Sequence, residues 1–170
     1  MPADLTIFVS TDFLVAAGAN GEYRLHAAKR LAPDRVLFRI DGQLTDRPTK
    51  YSIQVAFGGH IEVPPGTPRD RQLESFPWQF LKHSCEPNLK IWGRNVISLR
   101  EIDATEELTF NFNTTEYDLA EPFLCQCGAA QCVGVTGGFR YLAISEQERL
   151  APLLTDYLRA KVDGYGRASA

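Results

Sequence analysis

A chain of 170 residues, 44% hydrophobic and 23% charged, is long enough for one domain with a sizeable core and too short for two comfortable ones. Its net charge of −3 argues against a nucleic-acid binder that works through a large basic surface, and leaves room for a basic partner such as a lysine-rich peptide. No apolar stretch approaches the roughly 18 residues needed to span a membrane.

The opening stretch, "MPADLTIFVSTDFLVAAGANGEY", lacks a basic n-region and carries Asp4 and Asp12 around its apolar part. A secretory signal is therefore not expected, and a cytoplasmic or nuclear chain is. "VLFRI" (Val36 to Ile40) reads as a strand closed by the turn pair Asp41-Gly42. "YSIQVAF" alternates Ile53, Val55 and Phe57 inward against Ser52, Gln54 and Ala56. Gly58-Gly59 and a second alternating run through Ile61 and Val63 complete a hairpin pattern with a type I′ turn. "VPPGTPRD" (Val63 to Asp70) is a loop by composition. "LKIW", "VISL" and "ELTFNF" predict three more strands, with Gly93-Arg94-Asn95 turning the chain between the first two. Ser145 and Glu148 form a capping-box pattern, and Leu150, Leu153, Leu154, Tyr157 and Leu158 recur at helical spacing. The final "DGYGRASA" reads as a frayed tail. The expected class is mainly β, with a little helix at the C-terminus.

The cysteines carry the first chemistry. Cys125, Cys127 and Cys132 stand in a C-x-C-x4-C pattern, and a disulfide between the first two would be strained. Reduced thiols in the expected compartment point to metal before disulfide. A structural zinc site takes four ligands, and the only other cysteine is Cys85. Cys85 as a small buried hydrophobe is the alternative, and His83 competes with it as a ligand on spacing alone.

"HSCEPN" (His83 to Asn88), "REIDATEELTFNF" (Arg100 to Phe112) and "PFLCQCGAAQCVG" (Pro122 to Gly134) resemble, in order and spacing, the SET domain with its post-SET zinc segment. Upstream the likeness is weaker: "HAAKRLAPDRVLFRIDG" looks like the family's opening hairpin and "KYSIQV" like a later strand. The resemblance implies a fold of small sheets with a pseudoknot, a C-terminal post-SET zinc segment and one C-terminal helix. Its divisions would be a SET-like domain over 1–118, a zinc-binding segment over 119–140, and the helix and tail over 141–170. The implied activity is methyl transfer from S-adenosylmethionine to a lysine side chain of a protein or peptide, with no membrane and no direct nucleic-acid partner.

Carried over residue by residue, Cys85, Cys125, Cys127 and Cys132 would bind Zn²⁺. His83 would lie against the cofactor through its backbone, with Lys82, Asn88 and Phe123 also at the cofactor. Asn88 and Glu107 would belong to the motif framework near the knot, although Asn88 as a simple turn former and Glu106 and Glu107 as solvated carboxylates are the plainer readings. Phe110 matches the aromatic that tunes how many methyl groups fit, Tyr51 a channel tyrosine, and Phe112 the catalytic tyrosine. Three positions depart from the pattern: Phe112 has no hydroxyl, Lys82 replaces an asparagine, and Glu22 and Arg24 stand where the family has glycines, with Gly18 and Gly21 nearby. These departures raise an alternative, a catalytically altered SET-like protein that binds a partner peptide or acts on a small molecule in a repurposed channel.

Overall fold

The computed structural model describes residues 5–18 and 21–168; Asp4 and the last two residues of the expected tail lie outside them. The chain begins as an antiparallel meander of β1 (Leu5–Val9), β2 (Phe13–Ala17) and β3 (Tyr23–Ala27). In β3, Leu25 and Ala27 are buried and alternate with Arg24 and His26. The two-residue period of a strand thus sends Arg24 to the face opposite the core.

The expected opening hairpin over residues 26–42 does not form. β4 (Val36–Arg39) pairs instead with the distant β10, and Leu31 makes an isolated bridge to Ile102. The second sheet is β5 (Gln43–Thr45), β6 (Ile53–Ala56) and β7 (Gly59–Glu62), in the order β5-β7-β6. The β6–β7 hairpin is present, but Ala56 pairs with Gly59, so Phe57 and Gly58 make the turn. Only Gly58 of that pair has positive φ, at 62°, which is not the doubly positive turn that Gly58-Gly59 suggested. A register shift between Gln54 and Ala56 also breaks the alternation. Ile53 stays buried, as does Ser52, while Phe57 turns outward and is 60% exposed.

The proline-rich loop ends at Pro68, which precedes α1 (Arg69–Ser75). A 3-10 turn, Pro77–Phe80, then inserts Trp78 and Phe80 into the core. There the Trp78 indole N–H donates to the Asp41 carbonyl at 3.0 Å, so its buried polar atom is satisfied. β8 (Lys82–His83), β9 (Leu89–Trp92), β10 (Asn95–Ser98) and β11 (Thr109–Phe110) follow. β9 and β10 turn through Gly93 and Arg94, as their sequence predicts, and complete the sheet β4-β10-β9. β8 and β11 pair in parallel, Lys82 with Thr109 and His83 with Phe110. The predicted strand "ELTFNF" is thus only Thr109 and Phe110. Asn111 accepts a hydrogen bond from the Asn113 N–H and draws residues 112–114 into a 3-10 turn.

The main core joins Leu25, Ile40, Ile61, Trp78, Leu89, Ile91, Val96 and Leu108, each at most 1% exposed. Burying one such aliphatic side chain contributes about 1.5–3 kcal/mol. Beyond it lie the short hairpin β12 (Phe123–Leu124) and β13 (Val135–Thr136), then α2 (Ile144–Leu150) and the C-terminal helix α3 (Asp156–Ala168). The capping box is not made: Ser145 lies inside α2, whose N-cap is Ala143 with no side-chain bond. Pro152 sits in the 3-10 turn between α2 and α3 and separates the leucines that looked like one stripe. Leu154 and Leu158 pack with Phe139 in a second, smaller core. The expected frayed tail is helical as far as Ala168.

The two cores are stitched where residues 116–119 run beside 137–139. Phe139 N donates to Glu116 O at 2.8 Å, and Leu119 N to Gly137 O at 2.9 Å. Gly138 lies between them with φ 108°, and a Cβ there would sit 2.7 Å from the Tyr117 carbonyl oxygen. Gly138→Ala is expected to lower the unfolding free energy in urea by roughly 2–4 kcal/mol. Gly58→Ala, also at positive φ but with open space around its Cβ, should cost only about 1 kcal/mol. Equal losses for the two would show that close approach at Gly138 is not the constraint.

Candidate functional site

Cys85 emerges from β8 fully buried, and the β12–β13 hairpin brings the other three thiols to it. Cys125 N donates to Gly134 O at 2.8 Å and Cys132 N to Ala129 O at 3.1 Å, closing a tight loop. Gly128 and Gly134, both with φ 74°, supply left-handed turns that a side chain would resist. All four sulfur atoms lie within 4.8 Å of one another, and Cys85 Sγ is 3.9 Å from Cys125 Sγ. Four thiolates at zinc–sulfur bond length define a tetrahedron with edges of about 3.8 Å, so the donor set suits that ion. None of the four is in a disulfide. Burial pushes the Cys127 thiol up, but hydrogen bonds from the backbone at Cys85 and Ala129 outweigh it and bring its pKa to about 7. His83 is not one of the cluster. Behind the cluster, Arg149 of α2 donates to the Cys85 carbonyl at 3.3 Å.

The His83 ring has another task. Its Nδ1 accepts the Phe112 N–H at 3.1 Å, and its Nε2 lies 3.2 Å from Thr136 Oγ1 and 3.4 Å from Cys85 Sγ. Burial lowers its pKa to about 4, so the ring is neutral and carries its hydrogen on Nε2. It meets Phe112 and Phe123 edge-on, with centroids 5.3 and 5.8 Å away. Phe110 lies 4.7 Å from Phe112 on the other side. One imidazole thus joins the thiol cluster, the hairpin and the aromatic pair.

Two cavities adjoin at Phe112. The larger, a cleft of about 640 Å³, runs between β3, β8, β11 and the start of the cysteine loop. Its floor is charged: Arg24 pairs with Glu107 at 3.1 Å, and Glu22 lies 3.7 Å from both Arg24 and Lys82. Phe123 borders it, 37% exposed. The smaller cavity encloses about 50 Å³ and is walled by Phe110, Phe112, Leu81, Ile53 and Trp78. Lys50 and Tyr51 stand at its rim and border the cleft as well. Tyr51 is 68% exposed, at the entrance and not within a buried channel.

Lys82, His83, Phe123, Phe112 and Tyr51 therefore gather at the cleft, and Phe110 and Phe112 at the small cavity. Asn88, expected at the cofactor, does not border the cleft. Its Nδ2 donates to Glu106 Oε1 at 3.0 Å and to Glu107 O at 2.8 Å, and its Oδ1 accepts from Thr109 N at 2.9 Å. Three of the four hydrogen bonds this amide can make are thus spent inside the protein. Glu106 is held low in pKa by its Arg100 partner and by Asn88, so it is a paired carboxylate. Sequence reasoning missed Glu116, a buried carboxylate bordering the small cavity, and His60 beside it. In "TTEYD" and "GGHIE" neither belongs to a recognisable motif.

The SET domain profile matches residues 14–113, more than half of the chain, and the chain belongs to the SET domain family. Among its relatives, the methyltransferase flvH of Aspergillus flavus is 33% identical over 88 residues, covering 48% of this chain and 49% of that protein. The histone-lysine N-methyltransferase ash1 of Drosophila melanogaster is 34% identical over 105 residues, 57% of this chain and 4% of that one. The chain thus spans about half of one relative and a small part of the other. In structure it is similar to the methyltransferase domain of human SETMAR, with TM-score 0.54, 17% identity, and 74% of this chain and 58% of that one covered. KRYPTONITE in complex with mCHG DNA and SAH gives TM-score 0.52 at 16% identity, covering 70% of this chain and 27% of that one. At such identities the structures speak for the fold. Among the described residues no helix is long and apolar enough to cross a membrane.

Asn88→Ala removes three hydrogen bonds from a side chain 2% exposed. It is expected to lower stability by about 2–4 kcal/mol in denaturant titration. A loss under about 0.5 kcal/mol, typical of a surface position, would remove Asn88 from the frame of the site.

Proposed function

We propose that the chain is an S-adenosylmethionine-dependent N-methyltransferase acting on a lysine side chain of a protein. The observation that carries this reading is the meeting of a cleft and a narrow aromatic cavity at one residue, Phe112. A cleft of about 640 Å³ falls in the roughly 300–1,000 Å³ range of small-molecule sites. Its charges also suit a ligand with an amino-acid end: Lys82 and Arg24 would take the carboxylate, and Glu22 and Glu107 the ammonium. Phe123 offers an apolar face to a base. When bound, this cofactor supplies an electrophilic methyl group on a sulfonium.

The protein's part is alignment. Methyl transfer to an amine needs a neutral nitrogen on line with the methyl, so a rigid channel contributes more than strong acid or base. Phe110 and Phe112 would guide the amine, and His83 would fix the Phe112 backbone beside the cleft. The ash1 likeness supports a protein lysine as substrate and a nuclear site of action. The missing Phe112 hydroxyl favours a second reading, a SET-like module that binds peptide without turnover.

The four cysteines would hold a structural Zn²⁺ and make residues 119–140 a zinc-binding segment. Its role would be to fasten Phe123 and the cleft wall to the Cys85 loop. Because a closed thiolate site contributes folding energy directly, the metal and the cleft would be lost together.

Isothermal titration is expected to show S-adenosylmethionine binding, weakened about tenfold or more by Lys82→Glu, as reversal of a paired charge implies. Absence of heat at millimolar cofactor would sink the transferase reading. Binding without transfer to any lysine peptide would favour the second. Elemental analysis should find one zinc per chain, lost in Cys85→Ala. Chelation should raise hydrogen exchange in residues 119–140 before the sheets, whereas a uniform rise would contradict a local metal role.

A further inference from the structure

Glu116 is 4% exposed, yet it borders the small aromatic cavity. Its N–H donates to Phe112 O at 2.9 Å, so the turn that follows Phe112 sets it beside that ring. Oε1 accepts from Gln54 N at 2.7 Å, with the Thr115 hydroxyl at 3.5 Å. Oε2 meets His60 Nε2 at 3.3 Å. His60 Nδ1 is buried without a partner, and Nε2 is the ring nitrogen that faces the carboxylate. A carboxylate offers about four acceptor sites, and these partners leave one open on Oε2. A glutamine at this position could not accept from both Gln54 and His60, because its amide nitrogen only donates, so the carboxylate serves both bonds and still has an acceptor position to spare. The fold alone gives no partner to that last position on Oε2.

The cavity supplies one. Its other charged lining residue, Lys50, is exposed at the rim, and its remaining walls are largely aromatic and aliphatic. At about 50 Å³ it is several times the roughly 10–15 Å³ that one water needs, enough for a short alkyl chain and its end group. Aromatic faces with a buried carboxylate favour a cation over a neutral group of the same shape.

We infer that Glu116 is the specificity-determining residue of this cavity, the counter-charge that selects an alkylammonium end group. The inference deepens the transferase reading and rests on it for the natural substrate, but the selectivity itself can be measured without cofactor. Purified full-length protein is titrated with n-butylammonium chloride and, separately, with 1-butanol, which has the same number of heavy atoms. The readout is the methyl resonances of Ile53 and Thr115, both lining the cavity. Wild type is expected to bind the ammonium about tenfold more tightly than the alcohol, the worth of one charge-assisted hydrogen bond, and Glu116→Gln to lose that preference. Equal binding of the two probes to wild type, no saturable shift at either methyl, or a preference retained in Glu116→Gln would overturn the inference. If the variant does not fold, the comparison of probes on wild type still decides. Failure of cofactor binding would instead strike the transferase reading, while this titration would still return its own answer.

Discussion

The arrangement hangs on two residue pairs of parallel strand, Lys82 with Thr109 and His83 with Phe110. Parallel neighbours cannot be joined by a tight turn, so all of β9 and β10 intervenes between them and closing that excursion costs chain entropy. So short a ladder does not hold alone. Asn88 reaches across to Glu106, Glu107 and Thr109, while His83 accepts the Phe112 N–H just past the ladder. Side-chain hydrogen bonds continue the pairing after the backbone ladder stops. The side chains that leave this crossing are those of the site: Lys82 to the cleft, Phe110 to the cavity, and Cys85 to the thiol cluster.

The hairpin of residues 123–136 has little apolar support of its own. Leu124 and Val135, directly paired across it, are 75% and 54% exposed. A two-stranded ribbon with that exposure is marginal in water, so its position must come from elsewhere. The thiols are the obvious anchor, with Thr136 against His83 as the second. This explains why a cysteine cluster belongs beside a cleft. It places Phe123 at the cleft edge, which the hairpin could not do unaided.

What the sequence disclosed followed how local each determinant is. Three of the four clustered cysteines and the aromatic pair sit in contiguous motifs, and the spacing C-x-C-x4-C already points to a common partner. Strands with a clean two-residue period, such as those around Gly93, were also legible. The rest depended on distant partners. β4 looked like half of a hairpin because nothing nearby reveals that β10, some sixty residues on, is its neighbour. The motif around Asn88 does not say which way the amide turns, and only the fold shows it bonded to Glu106, Glu107 and Thr109. Phe57 was assigned inward by alternation, and one register shift moved it out. Leu150, Leu154 and Leu158 are buried and Leu153 half-buried, but Pro152 overrode the period that seemed to unite them. Glu116 had no signal, since its meaning comes from a cavity whose walls are drawn from three separate parts of the chain.

Phe112 and Glu116 belong to one electrostatic problem. A phenyl ring in place of a phenol removes a hydrogen-bonding group from the junction of cleft and cavity, and that alone would leave an amine there without orientation. Glu116, one helical turn later, restores a polar group to the same cavity from another wall. The replacement is not equivalent. A hydroxyl can donate or accept and discriminates weakly between charged and neutral nitrogen, whereas a carboxylate only accepts and favours the cation. A cavity built this way should hold an amine firmly in its protonated form, so release of the proton to solvent becomes the step that limits use of its lone pair. The exposed rim at Lys50 and Tyr51 is where water can reach. The price of the substitution would then be rate, and its return would be selection at entry.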